Sequence, residues 1–180
     1  MTDGERREPA GAPLIVTATM DATAQHRFDA LRRAHFPPDR LLVPAHITLF
    51  HQLPPSGRDE LETLVRTLTA EAPPPEATVR GAYSLGQGVA FRIESPDLLA
   101  IRARIADRFH GMLTAQDRGT PRLHVTVQNK VTPAAARALL AILEPDFRRW
   151  PLSITGLAVH HYRGGPWEAA FARNFRGPRR

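Results

Sequence analysis

One four-residue pattern, histidine, apolar, threonine, apolar, occurs twice in this chain, once in each half: His46-Ile47-Thr48-Leu49 and His124-Val125-Thr126-Val127. On an extended strand alternate side chains share a face. Each His then projects beside its Thr, while Ile47, Leu49, Val125 and Val127 point the other way into a core. The chain must therefore supply two comparable half-buried strands, each presenting a two-residue polar site. None of the other six histidines, His26, His35, His51, His110, His160 and His161, is followed by this pattern. The chain's own residue frequencies give roughly one chance in ten of a single tetrad and about one in a hundred of two, so the signal lies in the pair.

The elements around the tetrads repeat as well. Leu14 to Met20 reads as a first strand, and Asp21 can cap a helix carrying Phe28, Leu31 and Ala34 that Pro37-Pro38 must end. Leu41 to Phe50 contains the strand of the first tetrad, closed by Pro54-Pro55, and Gly57 to Ala70 has helical spacing through Leu61, Leu64, Val65 and Leu68. Beyond Pro73-Pro74-Pro75, Ala77 to Ser84 and Val89 to Glu94 form a hairpin through Gly86-Gln87-Gly88. Asp97 to Phe109 is helical, a polar loop from Thr114 to Pro121 leads into a strand from Arg122 to Lys130, and Pro133 starts a helix through Leu143. Trp150 to Tyr162 and Trp167 to Phe175 close the chain as a hairpin around Arg163-Gly164-Gly165-Pro166. Mixed strands and helices with two equivalent strands make the fold α+β.

At 180 residues the chain suffices for one domain, expected over 13–175, with an N-terminal tail over 1–12 and a basic C-terminal tail over 176–180. The absence of cysteine excludes disulfides, thiolate metal sites and a cysteine nucleophile. No apolar run reaches the roughly 20 residues of a membrane span, and no signal peptide is legible, so a cytoplasmic monomer without membrane contact is expected. The net charge of +6 is concentrated at the end, where Arg173 to Arg180 holds four arginines and no acid. The body is only mildly basic, which weakens charge alone as an argument for nucleic acid.

The paired His-x-Thr-x tetrads resemble those of the 2H phosphoesterase superfamily, whose members include bacterial 2′-5′ RNA ligase-like proteins and cyclic phosphodiesterases. The resemblance implies two pseudo-symmetric lobes with antiparallel sheets flanked by helices and a central cleft. It also implies chemistry on RNA ends or small cyclic nucleotides. Opening a 2′,3′-cyclic phosphodiester with water needs one base and one acid, and imidazole, with an unperturbed pKa of about 6.5, suits both roles. His46 and His124 are the expected catalytic pair. Thr48 and Thr126 are expected to donate to the phosphate oxygens, where charge accumulates. The mechanism requires no metal and no cofactor.

Further candidates follow from position. Uninterrupted alternation carries Gln128 and Lys130 to the His124 face, making Lys130, the sole lysine, a phosphate-binding candidate. The same extension carries Phe50 and Gln52 to the His46 face, although Phe50 fits a core. Tyr162 and Trp167, grouped with His160, His161 and Arg163 near the closing hairpin, are base-stacking candidates. Met112, Leu113 and the loop through Thr120 suggest a flap. Zinc-ligand spacing, a P-loop and a G-x-S-x-G elbow are all missing, so metal hydrolysis, ATP-driven ligation and serine esterase chemistry have no motif. Two other readings use the same residues: cleavage or reversible ligation of 2′-5′ RNA linkages, and a non-catalytic RNA-binding module.

Overall fold

The computed structural model describes residues 11–178, and within them β1 (Leu14–Met20), α1 (Ala22–His35), β2 (Ile47–Leu53), α2 (Arg58–Glu71) and β3 (Glu76–Ser84) are followed by β4 (Val89–Glu94), α3 (Pro96–Arg108), β5 (His124–Gln128), α4 (Pro133–Leu143) and β6 (Trp150–His161), with β7 (Glu168–Asn174) appended. The chain is thus a β-α-β-α-β unit written twice. Residues 1–10 of the expected N-terminal tail, and Arg179 and Arg180, lie outside the described residues.

Every strand pairing is antiparallel, in the order β2-β1-β6-β3-β4-β5, with β7 also on β6. The third strand of each unit is exchanged: β3 pairs with β4 of the second unit, and β6 pairs with β1 of the first. β6 joins the lobes, meeting β3 through Trp150 to Ser153 and β1 through Ile154 to His161. The tetrad strands β2 and β5 occupy opposite ends of this order yet approach each other, so the sheet curls until its two edges meet. α1 packs across the second edge, against β5.

Local chemistry sets the helix ends. Asp21 caps α1 by accepting from Ala24 N at 2.9 Å, and its other oxygen accepts from Ser153 N at 2.8 Å, tying the cap to β6. Ser95 and Thr132 cap α3 and α4 in the same way, each followed by proline at the first helical position. Ile47, Leu49, Val125 and Val127 are fully buried, at 1% exposure or less, beside Phe28 and Phe50.

Both tetrads end in a β-bulge. Thr48 pairs with Thr17 but Phe50 with Val16, leaving Leu49 extra; Thr126 pairs with Ala90 but Gln128 with Val89, leaving Val127 extra. A bulge resets which face the following residues take. Phe50 is therefore turned into the core at 0% exposure and Gln128 is buried at 7%. The tetrad strands also differ from their expected limits: β2 begins at Ile47 and runs to Leu53, and β5 spans only His124–Gln128. That ending corrects the premise for Lys130. The register shift and the end of the ladder at Gln128 stop the alternation short, and Lys130 is exposed with a left-handed φ of 59°.

Candidate active site

His46 stands immediately before β2 and His124 opens β5, so both rings sit where a sheet edge begins. Their first contacts match. His46 Nδ1 is 2.8 Å from the carbonyl oxygen of Pro44, and His124 Nδ1 is 2.7 Å from that of Arg122, in each case two residues back. A carbonyl can only accept, so Nδ1 carries the hydrogen and the neutral ring keeps its lone pair on Nε2. Neither Nε2 has a hydrogen-bond partner among the described residues. Thr48 and Thr126 are half-buried like the histidines, two residues further along each strand. Each half therefore offers one oriented, unsatisfied imidazole nitrogen and one hydroxyl.

Each histidine also has an aromatic neighbour. Trp167 lies 4.5 Å from His46 between ring centroids and 5.4 Å from His160, while Tyr83 meets His124 edge-on at 6.3 Å. A pocket of about 350 Å³ opens beside His46 and Trp167, with Thr17, Asp29, Pro44 and His160 in its wall. Burial pushes the His46 imidazole down from 6.5 to about 4; the Pro44 carbonyl opposes this, and the charges of Arg32, His160 and His124 add to it. His124 thus lies close enough for its charge to act on the His46 ring. Burial also lowers His160, whose Nε2 is 3.3 Å from the Thr17 hydroxyl.

The loop before β5 is a strap and not a free flap. Asp117, 1% exposed, accepts from the backbone N–H groups of His51 and Gln52 at 2.9 Å each and from His51 Nδ1 at 3.0 Å. Its carboxylate takes the place of a neighbouring strand along the β2 edge. Burial acts to raise its pKa, but hydrogen bonds from the His51 ring and from the two backbone N–H groups outweigh burial and hold it below the usual 3.8.

Of the residues singled out from sequence, His46 and Trp167 meet ring to ring, and the strands of the two tetrads approach each other. Tyr162 does not: it follows β6, is 46% exposed and is absent from the pocket wall, while Arg163 pairs with Glu168 at 2.7 Å. Sequence reasoning passed over Arg32, Tyr83 and Asp117. Each reaches the site from a distant segment, and none carries a local signature beyond an ordinary residue type on a helix, strand or loop.

A family model described as the 2′-5′ RNA ligase superfamily matches residues 20–166. No curated protein matches the sequence significantly. Among solved structures, Escherichia coli LigT complexed with NADP+ aligns at TM-score 0.63 and 17% identity, covering 92% of this chain and 98% of that one. A crystal structure described only as a phosphoesterase aligns at 0.62 and 16%, with coverages of 92% and 98%. A Thermus thermophilus protein aligns at 0.61 and 15%, with coverages of 93% and 100%. At these identities the structural likeness speaks for the fold.

Proposed function

Since the chain belongs to the 2′-5′ RNA ligase superfamily, within the 2H phosphoesterases, we propose that it hydrolyses a cyclic phosphodiester, specifically a 2′,3′-cyclic phosphate at an RNA end or on a nucleotide, without a metal. The observation that carries this reading is the matched pair of histidines. Both fix Nδ1 on a carbonyl two residues back and leave Nε2 open, one on each of two sheet edges that approach each other.

In the proposed reaction the oxygen of water attacks phosphorus and the bond from phosphorus to one ribose oxygen breaks, leaving a phosphomonoester. One ring, neutral, takes the proton of water on Nε2, and the other, entering the step as imidazolium, gives its Nε2 proton to the departing ribose oxygen. His46 and His124 are built alike at Nδ1, so the same pair serves the reverse direction with roles exchanged. Thr48 and Thr126 donate to the non-bridging oxygens as charge builds there. The pocket beside His46 suits a nucleoside, with Trp167 offering a ring face for stacking.

The test is turnover of 2′,3′-cyclic nucleotides by wild type, His46→Ala and His124→Ala in EDTA, with folding checked by circular dichroism. Wild-type turnover is expected, with a loss of about 10²- to 10⁴-fold in each folded variant. Full activity in either folded variant sinks the proposal. The family description favours one second reading, cleavage or joining of 2′-5′ RNA linkages by the same four residues, and a 2′-5′ dinucleotide offered beside the cyclic nucleotide separates the two. Inactivity on both, with RNA still bound, points to a binding module.

A further inference from the structure

Two arginines lie beneath the site. Arg32 on α1 and Arg102 on α3 are 3% and 5% exposed, and among the described residues neither forms an ion pair with a carboxylate. Their guanidinium groups donate instead to main-chain carbonyls, taken in both cases from the two halves of the fold. Arg32 Nη1 donates to Thr126 O at 2.6 Å, inside the second tetrad, and Nη2 donates to Val43 O at 2.9 Å, on the approach to His46. Arg102 Nε donates to Leu49 O at 3.3 Å, the last residue of the first tetrad. Its Nη1 reaches Gly119 O at 2.7 Å and its Nη2 reaches Asp117 O, both on the approach to His124. The relation is reciprocal: the helix preceding each tetrad fastens its own tetrad's approach to the strand of the other.

We propose that Arg32 and Arg102 are positioning residues, crossed clamps that fix the separation of the two His-Thr pairs across the gap between the β2 and β5 edges. The proposal rests on the reading of the site given above. No ladder joins β2 to β5, since they end the strand order on opposite sides. Something other than sheet pairing must hold the two imidazoles at a separation that spans one phosphorus. A guanidinium suits the task because its rigid fork reaches two carbonyls on different segments at once, whereas an ammonium is a single point. Burial acts against the charge of both guanidiniums, and although Asp29 and Asp117 favour that charge at Arg32 and Arg102 respectively, neither carboxylate pairs with one directly, so both cations are held at a cost by main-chain carbonyls.

The clamps differ in one respect. Arg32 is a charge that acts on the His46 ring, together with His160 on β6 and His124 on β5, while Asp29 on α1 stands beside Arg32; Arg102 is not among the groups acting on that ring. Geometry and charge therefore separate in variants. Arg32→Met removes both fork and charge, Arg32→Lys keeps the charge but can satisfy one carbonyl, and Arg102→Met removes only the opposite clamp.

The experiment measures kcat, KM and the acid limb of the pH profile on 2′,3′-cyclic AMP for these variants, with the His46 titration followed by NMR of the imidazole protons. For Arg32→Met, kcat is expected to fall at least tenfold with KM altered about threefold or less, because ångström-scale misplacement acts on the chemical step. The His46 titration and the acid limb should both rise. Arg32→Lys should also lose kcat but keep the wild-type acid limb, and it remains informative if Arg32→Met does not fold. Arg102→Met should lower kcat with the His46 titration unmoved. Wild-type kcat in folded Arg32→Met, Arg32→Lys or Arg102→Met overturns the proposal, whatever the variant's stability and whether or not the His46 titration moves. If wild type turns over no cyclic nucleotide, the reading of the site fails, and inorganic phosphate becomes the probe. A shared midpoint for both ring signals in wild type, split in Arg32→Lys, upholds the clamp; an unsplit response, or none in wild type, overturns it.

Discussion

Replacing His46 by Gln should change how stability depends on pH, and the amount follows from the ring's surroundings. Burial, with the charges of Arg32, His160 and His124, lowers the folded-state pKa from 6.5 to about 4. An unfolded chain binds the proton near 6.5, while the folded chain resists it until about pH 4. Folded stability is therefore complete above 6.5, declines as the pH falls through this interval and levels off below 4. The span corresponds to at most about 3 kcal/mol, a large fraction of the 5–15 kcal/mol typical of a domain. Glutamine can still donate to the Pro44 carbonyl but does not titrate. Urea unfolding of both proteins at pH 7.5, 6.5, 5.5 and 4.5 isolates the difference, since His160 titrates in both. With a slope of about 2 kcal/mol per molar urea and about 2.5 kcal/mol of the loss incurred between pH 7.5 and 4.5, the wild-type midpoint should fall by up to roughly 1.2 M more than that of His46→Gln over that interval. Parallel midpoints across the series would refute the reasoning, because they would mean that His46 is as free to protonate in the folded chain as in the unfolded one.

Other consequences are open to simpler assays. Thr48→Val and Thr126→Val should each reduce kcat about 100-fold on a cyclic nucleotide, with the fold intact by circular dichroism, if the hydroxyls donate to the charge of the transition state. Trp167→Ala should raise KM roughly tenfold while leaving kcat within a few-fold, as loss of a stacking face would; an unchanged KM removes Trp167 from substrate binding. Asp117→Asn should cost about 1–3 kcal/mol in urea at neutral pH by weakening the charge-assisted hydrogen bonds that the buried carboxylate accepts from the His51 and Gln52 N–H groups. Because the folded-state pKa of Asp117 is depressed, that contribution is present above about 3.8 and is lost as the pH falls through its folded value. Gly88→Ala should destabilise the protein, since a Cβ there collides with the Gln128 carbonyl at the end of β5; a variant as stable as wild type in urea would mean that the strand end yields freely.

The legible parts of this molecule were those written in local periodicity. Alternation in the tetrads foretold the buried Ile47, Leu49, Val125 and Val127, and the limits of β1, β4 and α4 matched their patterns because capping residues or prolines bound them. Alternation failed one step later. The bulges at Leu49 and Val127 depend on how β2 and β5 pair with β1 and β4, a property of two segments that neither displays alone. Arg32, Arg102 and Asp117 were hidden for the same reason. An arginine on an amphipathic helix ordinarily faces water, and only the closed fold shows that carbonyls from the other half await these two. Trp167 and Tyr162 looked equivalent because both flank the closing turn, but pairing across β6 and β7 brings only Trp167 to His46.

The exchange of third strands makes each half a template for its counterpart. Cut in the turn between Ser84 and Val89, the chain would yield a first fragment whose β3 has no neighbour of its own and a second whose β6 lacks β1. Neither piece carries a complete sheet, and each holds one His-Thr pair. Mixed, the two pieces present complementary edges, and their reassembly would restore both imidazoles at once, so the proposed cyclic-nucleotide turnover, once measured in the intact chain, would report fragment complementation directly.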